Sequence, residues 1–290
     1  MKKIGQLMAF YVGTVSLLFG VQSVTAAPVV QSPPNYKLKK MMIVIFENTD
    51  YQGALDQPFF AKLARDGVLF PSFFAETHPS QGNYIALVTG DTYGVFHDFP
   101  VNLDAKHIGD LIEEKGKSWK IYLEDYPGDC FMGSSSGKYV RKHNPFISMK
   151  NIQQNSTRCT SHLVNAMALQ ADIQSGNLPD FSIYVPNMDH DGHDTGVAYA
   201  DRWFSSTFSP LIQDRHFIQD LLLITTFDER ESAGKNQIYT AFYGDSVLPG
   251  ARFVNRADHY SLLRLAEDAL GLGGLGKKDA QAALITGIWK

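Results

Sequence analysis

The 290-residue sequence predicts a three-layer α/β/α sandwich around a mainly parallel central sheet. Mostly apolar runs of strand length recur along it, the first of them unbroken, as in strands covered by helices on both faces. Helix-period segments separate those runs, the alternation that builds layered α/β domains. Residues rich in acids and histidine follow the runs directly, where ligands bind in open sheets of this kind.

Residues 27–38 (APVVQSPPNYKL) are proline-rich and non-periodic, and lead into a first apolar run at 41–46 (MMIVIF). Later strand-like runs cover 68–74, 119–123, 181–185, 221–227 and 238–243. Helical patterns fall at 59–65, 84–89, 107–114, 162–174 and 260–270. The stretch 128–154, with the run GSSSG at 133–137, reads as a long loop covering the site. There is no internal repeat, and the length suits one domain from residue 27 to 290.

The N-terminus has its own pattern. Met1, Lys2 and Lys3 form a cationic start, residues 7–21 are mostly apolar, and small Val24 and Ala26 precede a cut before Ala27. That pattern predicts a secretory signal peptide over residues 1–26 and a periplasmic or secreted product. The apolar run is short for a span of roughly 20 residues and is broken by Tyr11, Gly13, Thr14 and Ser16, which disfavours a membrane anchor. No second run predicts stable membrane insertion.

Residues 1–26 hold two of the 26 basic side chains and none of the 30 acidic ones, so without them the net charge moves from −4 to −6. An acidic chain has no generic attraction for nucleic acid, which is excluded as a partner class. Cys130 and Cys159 are too few and too far apart for a zinc cluster. In an exported chain they are expected to pair, the alternative being two buried thiols.

Four strand ends carry chemistry: Glu47-Asn48, His78-Pro79-Ser80, Asp189-His190-Asp191-Gly192-His193 and Asp228-Glu229. Carboxylates, carboxamide oxygens and imidazoles all ligate divalent cations. Singly, each pair reads equally as a helix cap or a solvated turn; converging on one sheet edge, they predict a metal site. Ser80 precedes a helical pattern. It is either a helix cap or a nucleophile placed where backbone N–H groups would receive a phosphate. The Gly-x-Ser-x-Gly elbow of serine esterases is absent.

Several segments resemble, in order, the bacterial and fungal phosphoesterase family that contains acid phosphatases and phospholipases C. They are FENTDY at 46–51, THPSQGNYIALVTGD at 77–91, KHNPF at 142–146, YVPNMDHDGHDTG at 184–196, TTFDE at 225–229 and DHYSLL at 258–263. The family looks like a branch of the alkaline-phosphatase superfamily, which implies that superfamily's α/β/α sandwich. The resemblance implies Ser80 as nucleophile of a phosphoserine intermediate. It implies Glu47, Asn48, Ser80, Asp228 and Glu229 as the surroundings of a divalent metal ion. Wider superfamily members carry an Asp-His pair where this chain has Asp228-Glu229, so the metal's identity stays open.

Asn83 matches an asparagine that donates to phosphoryl oxygens, and His193 and His259 match positions that hold a second metal in two-metal relatives. In the acid phosphatase branch such histidines contact phosphate instead, with Asp191 and His143 as further substrate contacts. Asp189 competes with Asp191; the family form N-D-G-H-D favours Asp191, although His190 stands where that form has Asn. The implied substrate is a small phosphomonoester. The alternatives are a phospholipase C or other phosphodiesterase and, more distantly, a secreted phosphate-binding protein without turnover.

Overall fold

A computed structural model describes Met1 and residues 33–290. Apart from Met1, the expected signal peptide lies outside the described residues. Eight strands form the main sheet, in the order Ala251–Arg252, Val68–Leu69, Thr240–Tyr243, Leu221–Phe227, Lys40–Phe46, Phe181–Val185, Trp119–Leu123, Leu163–Asn165. All run parallel except Thr240–Tyr243, which is antiparallel to both of its neighbours. Every residue of Leu221–Phe227 and of Phe181–Val185 is buried, as strands covered on both faces require.

Phe46 at the end of the first strand packs against Phe60 of the helix Pro58–Asp66 and Phe204 of the helix Val197–Gln213. Its successor Glu47 touches Ser80 and Tyr84 at the start of the helix Gln81–Thr89. Successive side chains alternate across a sheet, so these contacts put the two helix groups on opposite faces. The helix His259–Leu270 packs on Gln81–Thr89. The expected three-layer α/β/α sandwich is therefore present. Buried Asp201 ties one outer layer together: its carboxylate accepts from the N–H groups of Phe59 and Phe60, both at 2.9 Å, and so caps a neighbouring helix across the chain.

Some elements differ from expectation. The run 68–74 splits into Val68–Leu69 and Phe73–Phe74, the second pairing with Ala257–Asp258 in a separate two-stranded sheet. Pro71 lies between them and has no N–H for a continuous ladder. The expected helix at 162–174 is a helix Ser156–His162, an edge strand Leu163–Asn165 and a helix Ala168–Gln174. Pairing of Leu163 with Ile121 on the open edge of Trp119–Leu123 overrides the local helical pattern. The segment 128–154 holds a small hairpin, Ser135–Ser136 with Tyr139–Val140, and short helical turns. The seventeen-residue helix Val197–Gln213 had no counterpart in the sequence reading. Cys130 and Cys159 form a disulfide that closes the segment, and no described helix is long and apolar enough to cross a membrane.

Candidate active site

Register places the first two donor pairs. Phe46 is paired with Phe227 across the parallel strands, so the chain leaves the sheet side by side at Glu47-Asn48 and Asp228-Glu229. The Asp228 N–H donates to the Phe46 carbonyl at 2.9 Å, and the Glu47 N–H to the Asp191 carbonyl at 3.1 Å. Three strand-end loops are thereby locked together by backbone bonds alone.

Ser80 meets them from the helix on the same face. Its backbone is already helical and its side chain makes no capping bond, so the cap reading fails. The Ser80 hydroxyl lies 3.1 Å from Glu47 Oε2 and 3.4 Å from Glu229 Oε1, and the residue is buried. The Asn48 side-chain amide lies against Asp228 Oδ1 and Glu47 Oε2, and in the orientation that satisfies its neighbours its nitrogen donates to both at 3.2 Å. Two carboxylates and a carboxamide this close offer the donor set of one cation. Asp228 Oδ2 is buried without a hydrogen-bond partner, which fits the same donor set. All five residues expected around the metal thus converge.

Glu47 also faces a second set. Its Oε1 accepts from the Tyr84 hydroxyl at 2.7 Å and lies 3.0 Å from His143 Nε2, while His143 Nδ1 is 3.7 Å from Asp191 Oδ2. Ligand atoms of Glu47, His143 and Asp191 lie within 4.8 Å of one another and all three residues are buried, a group that could itself hold a metal ion. Of the two competing carboxylates, Asp191 is enclosed, whereas Asp189 is partly exposed and pairs with Lys138 at 2.7 Å.

Charge crowding is severe. Burial first, then the Glu47 charge, pushes the Asp228 and Asp191 carboxyls well above their usual range. Burial, Glu47 and Asp98 raise Glu229 to about 8. Burial opposes ionisation of Glu47 too, but nearby His143 and Lys142 with the Tyr84 hydrogen bond outweigh it and hold the Glu47 carboxyl below its usual range, while burial in turn disfavours the charged form of His143. A bound divalent cation would favour all of these carboxylates in their charged form.

The remaining expected residues do not gather as one set. Asn83 Oδ1 accepts from the N–H groups of Glu76 and Thr77 at 2.9 and 3.0 Å, and its Nδ2 donates to the Thr77 carbonyl at 2.9 Å. Its amide holds the loop that delivers Ser80 and keeps a second Nδ2 hydrogen uncommitted. His193 sits at the exposed rim, with Nδ1 2.9 Å from Asp194 Oδ1 and its N–H on Asp191 Oδ1 at 2.8 Å. His259 is buried, with Nε2 3.2 Å from the Phe227 carbonyl and Nδ1 unpartnered.

Three further residues join the site, of which His78 was expected only as part of a chemistry-bearing strand end and Tyr84 and Lys142 only as members of matching segments. His78, half exposed, places Nδ1 2.6 Å from Glu229 Oε2. Tyr84 stacks on His143 and bonds Glu47, and its place one helical turn after Ser80 was the available signal. Lys142, beside His143 in the KHNPF segment, contributes positive charge felt by Glu47 and Asp228.

The family model described as "Phosphoesterase family" matches residues 48–273. The chain is 34% identical over 272 residues to a probable acid phosphatase of Kluyveromyces lactis, covering 89% of this chain and 64% of that protein. An acid phosphatase of Aspergillus fumigatus is 33% identical over 257 residues, covering 83% of this chain and 57% of that protein. A phosphatidylinositol-3-phosphatase of Mycobacterium tuberculosis is 33% identical over 254 residues, covering 86% and 82%. The chain thus spans less than two thirds of the length of the fungal relatives. A solved structure from Vibrio parahaemolyticus, a protein in the alkaline phosphatase superfamily, superposes with a TM-score of 0.61 at 14% identity, covering 89% of this chain and 75% of that one.

Proposed function

The chain belongs to the phosphoesterase family, and from that premise we propose that it hydrolyses phosphomonoesters with Ser80 as the covalent nucleophile. One observation carries the reading: the Ser80 hydroxyl ignores its own helix and points at Glu47 and Glu229. A serine placed so has carboxylates within reach of its proton and backbone N–H groups behind it for a phosphoryl oxygen.

Ser80 Oγ attacks phosphorus, the bond to the ester oxygen breaks, and the alcohol leaves with a proton. Water then cleaves the phosphoserine, releasing phosphate and regenerating the hydroxyl. Glu47 and Glu229 are the proton acceptors nearest Ser80 Oγ. We assign His193, which pairs with Asp194 at the rim, the protonation of the leaving oxygen. A divalent cation held by Glu47, Asn48, Asp228 and Glu229 would supply the positive charge that favours the Ser80 alkoxide and polarises the phosphoryl group. Asn83 acts by fixing the loop 76–80.

Relatives named as phosphatases support a monoester over a diester substrate. The N-terminal pattern and the disulfide support a periplasmic or secreted location. Turnover of nitrophenyl phosphate against nitrophenyl phosphorylcholine tests the choice of ester; faster cleavage of the choline diester would overturn it. Ser80→Ala should lower kcat by on the order of 10³-fold or more while the melting temperature holds. Retained turnover in that variant would remove Ser80 from the role.

A further inference from the structure

Beside Ser80 lies a carboxylate with no part in the mechanism above. Asp98 Oδ1 accepts from the Gln81 N–H, the first residue of the helix Gln81–Thr89, at 3.1 Å, and Asp98 Oδ2 lies 3.1 Å from Lys142 Nζ. A carboxylate bridging a helix N-terminus and an ammonium sits as a substrate oxyanion would sit. Gln81 directly follows the nucleophile, and the Asp98 charge is felt at Glu229, so the position belongs to the mouth of the Ser80 centre.

A second observation is independent of that helix end. Gln81, Asp98, Arg141 and Lys142 line a small cavity of about 90 Å³. Arg141 is buried, and its Nε–H has no partner. Its other two nitrogens are used, Nη1 on the Met132 carbonyl at 2.8 Å and Nη2 on the Val101 carbonyl at 2.9 Å. A buried unpaired donor next to an ammonium marks a wall that accepts negative charge.

Asp98 is also free to leave. It is about a third exposed, between the exposed rings of Phe96 and Phe99. The loop backbone is held separately, because Gln81 Nε2 donates to the His97 and Phe99 carbonyls at 2.9 and 2.8 Å. Rotation of one side chain therefore vacates the position without moving the loop.

We propose that Lys142 and the Gln81 N–H form a phosphoryl-oxygen subsite of the Ser80 centre, which Asp98 fills in the absence of substrate as an internal competitor. The inference rests on Ser80 being the nucleophile of a phosphatase. Phosphate would exchange with Asp98 for the same two donors, so the observed affinity is the intrinsic one reduced by the fraction of molecules in which Asp98 has left.

Inorganic phosphate is the probe, its affinity read by titration calorimetry on the whole chain with divalent metal present. Asp98→Asn, which keeps the shape and weakens the competitor, should tighten phosphate roughly threefold or more. Lys142→Met should weaken it roughly tenfold or more, the effect of losing one charge-assisted bond. In the Lys142→Met background the gain from Asp98→Asn should shrink. Unchanged or weaker phosphate binding by Asp98→Asn with an unchanged melting temperature overturns the proposal. If Asp98→Asn unfolds, Lys142→Met decides alone, and unchanged affinity there overturns it. Because this readout needs no turnover, normal phosphate binding without ester hydrolysis would sink the phosphatase reading and leave the subsite standing. No phosphate binding by the parent protein sinks both.

Discussion

Removing one hydroxyl, in Tyr84→Phe, isolates how the fold holds Glu47. The Tyr84 O–H donates to Glu47 Oε1 at 2.7 Å inside a fully buried site, while the ring stacks on His143 at 5.0 Å between centroids. The substitution keeps the stack and the volume and deletes only the donor. A hydrogen bond to a buried charge contributes about 1.5–3 kcal/mol. His143 Nε2, 3.0 Å from the same oxygen, remains and offsets part of that loss, so a cost of about 2 kcal/mol is expected with chelator present. For a domain of this size that lowers the melting temperature by about 4–8 °C. Glu47 also loses a restraint on its orientation, and removing such an outer partner of a metal ligand weakens metal binding by roughly 10–100-fold. The assay pairs thermal melts in chelator with calorimetric metal titration, followed by kcat at saturating metal, which should recover most of the parent value. Metal affinity within a factor of about two of the parent, or kcat that stays low at saturating metal, would refute the assignment of Glu47 as a ligand oriented by Tyr84.

Three further outcomes follow from the packing. Asp201→Ala leaves the Phe59 and Phe60 N–H groups unpaired in a buried place and should cost about 2–3 kcal/mol in urea unfolding; Asp201→Asn, which still accepts through Oδ1, should cost less. His107 is buried against Trp119 and Phe146, and burial, only partly opposed by Asp110, lowers its pKa from 6.5 to about 4. Between those values the unfolded chain binds the extra proton, so this group's contribution to stability is complete above pH 6.5 and declines as pH falls towards 4, by on the order of 3 kcal/mol in all. His107→Leu should flatten that part of the stability–pH curve, and an unchanged slope would count against the burial argument. The Cys130–Cys159 bridge spans a sequence separation of 29, for which chain entropy gives about 3.6 kcal/mol; Cys130→Ser should approach that loss in denaturant titration, and no change would show that the bond constrains little.

Elements defined by their own periodicity were legible. The runs at 41–46, 119–123, 181–185 and 221–227 are strands within a residue of their expected ends, because strands buried on both faces are mostly apolar. Elements defined by a neighbour were not. Leu163–Asn165 became a strand because an open sheet edge lay beside it. Val197–Gln213 does carry a four-residue spacing of buried Ala200, Phe204, Phe208 and Ile212, but the serines, threonine and Pro210 between them read locally as a loop, and the aromatic layer that Phe46 and Phe60 form with Trp203 and Phe204 exists only in space.

The site divides in the same way. Sequence by itself determined the inventory, since Glu47, Asn48, Ser80, Asp228 and Glu229 stand at strand ends and a helix start, and in a parallel sheet those ends meet on one edge. It also determined the family, because the matching segments follow one another along nearly the whole described chain. Only the tertiary structure decided what each group does with its atoms. It turned Ser80 away from its helix, committed Asn83 to the loop 76–80, placed His143 and Tyr84 on the second oxygen of Glu47, and set Asp98 against Lys142. Residue identity limits which bonds a side chain can make. Which partner lies within about 3 Å is settled by chain segments tens to hundreds of residues away, and local sequence carries no record of them.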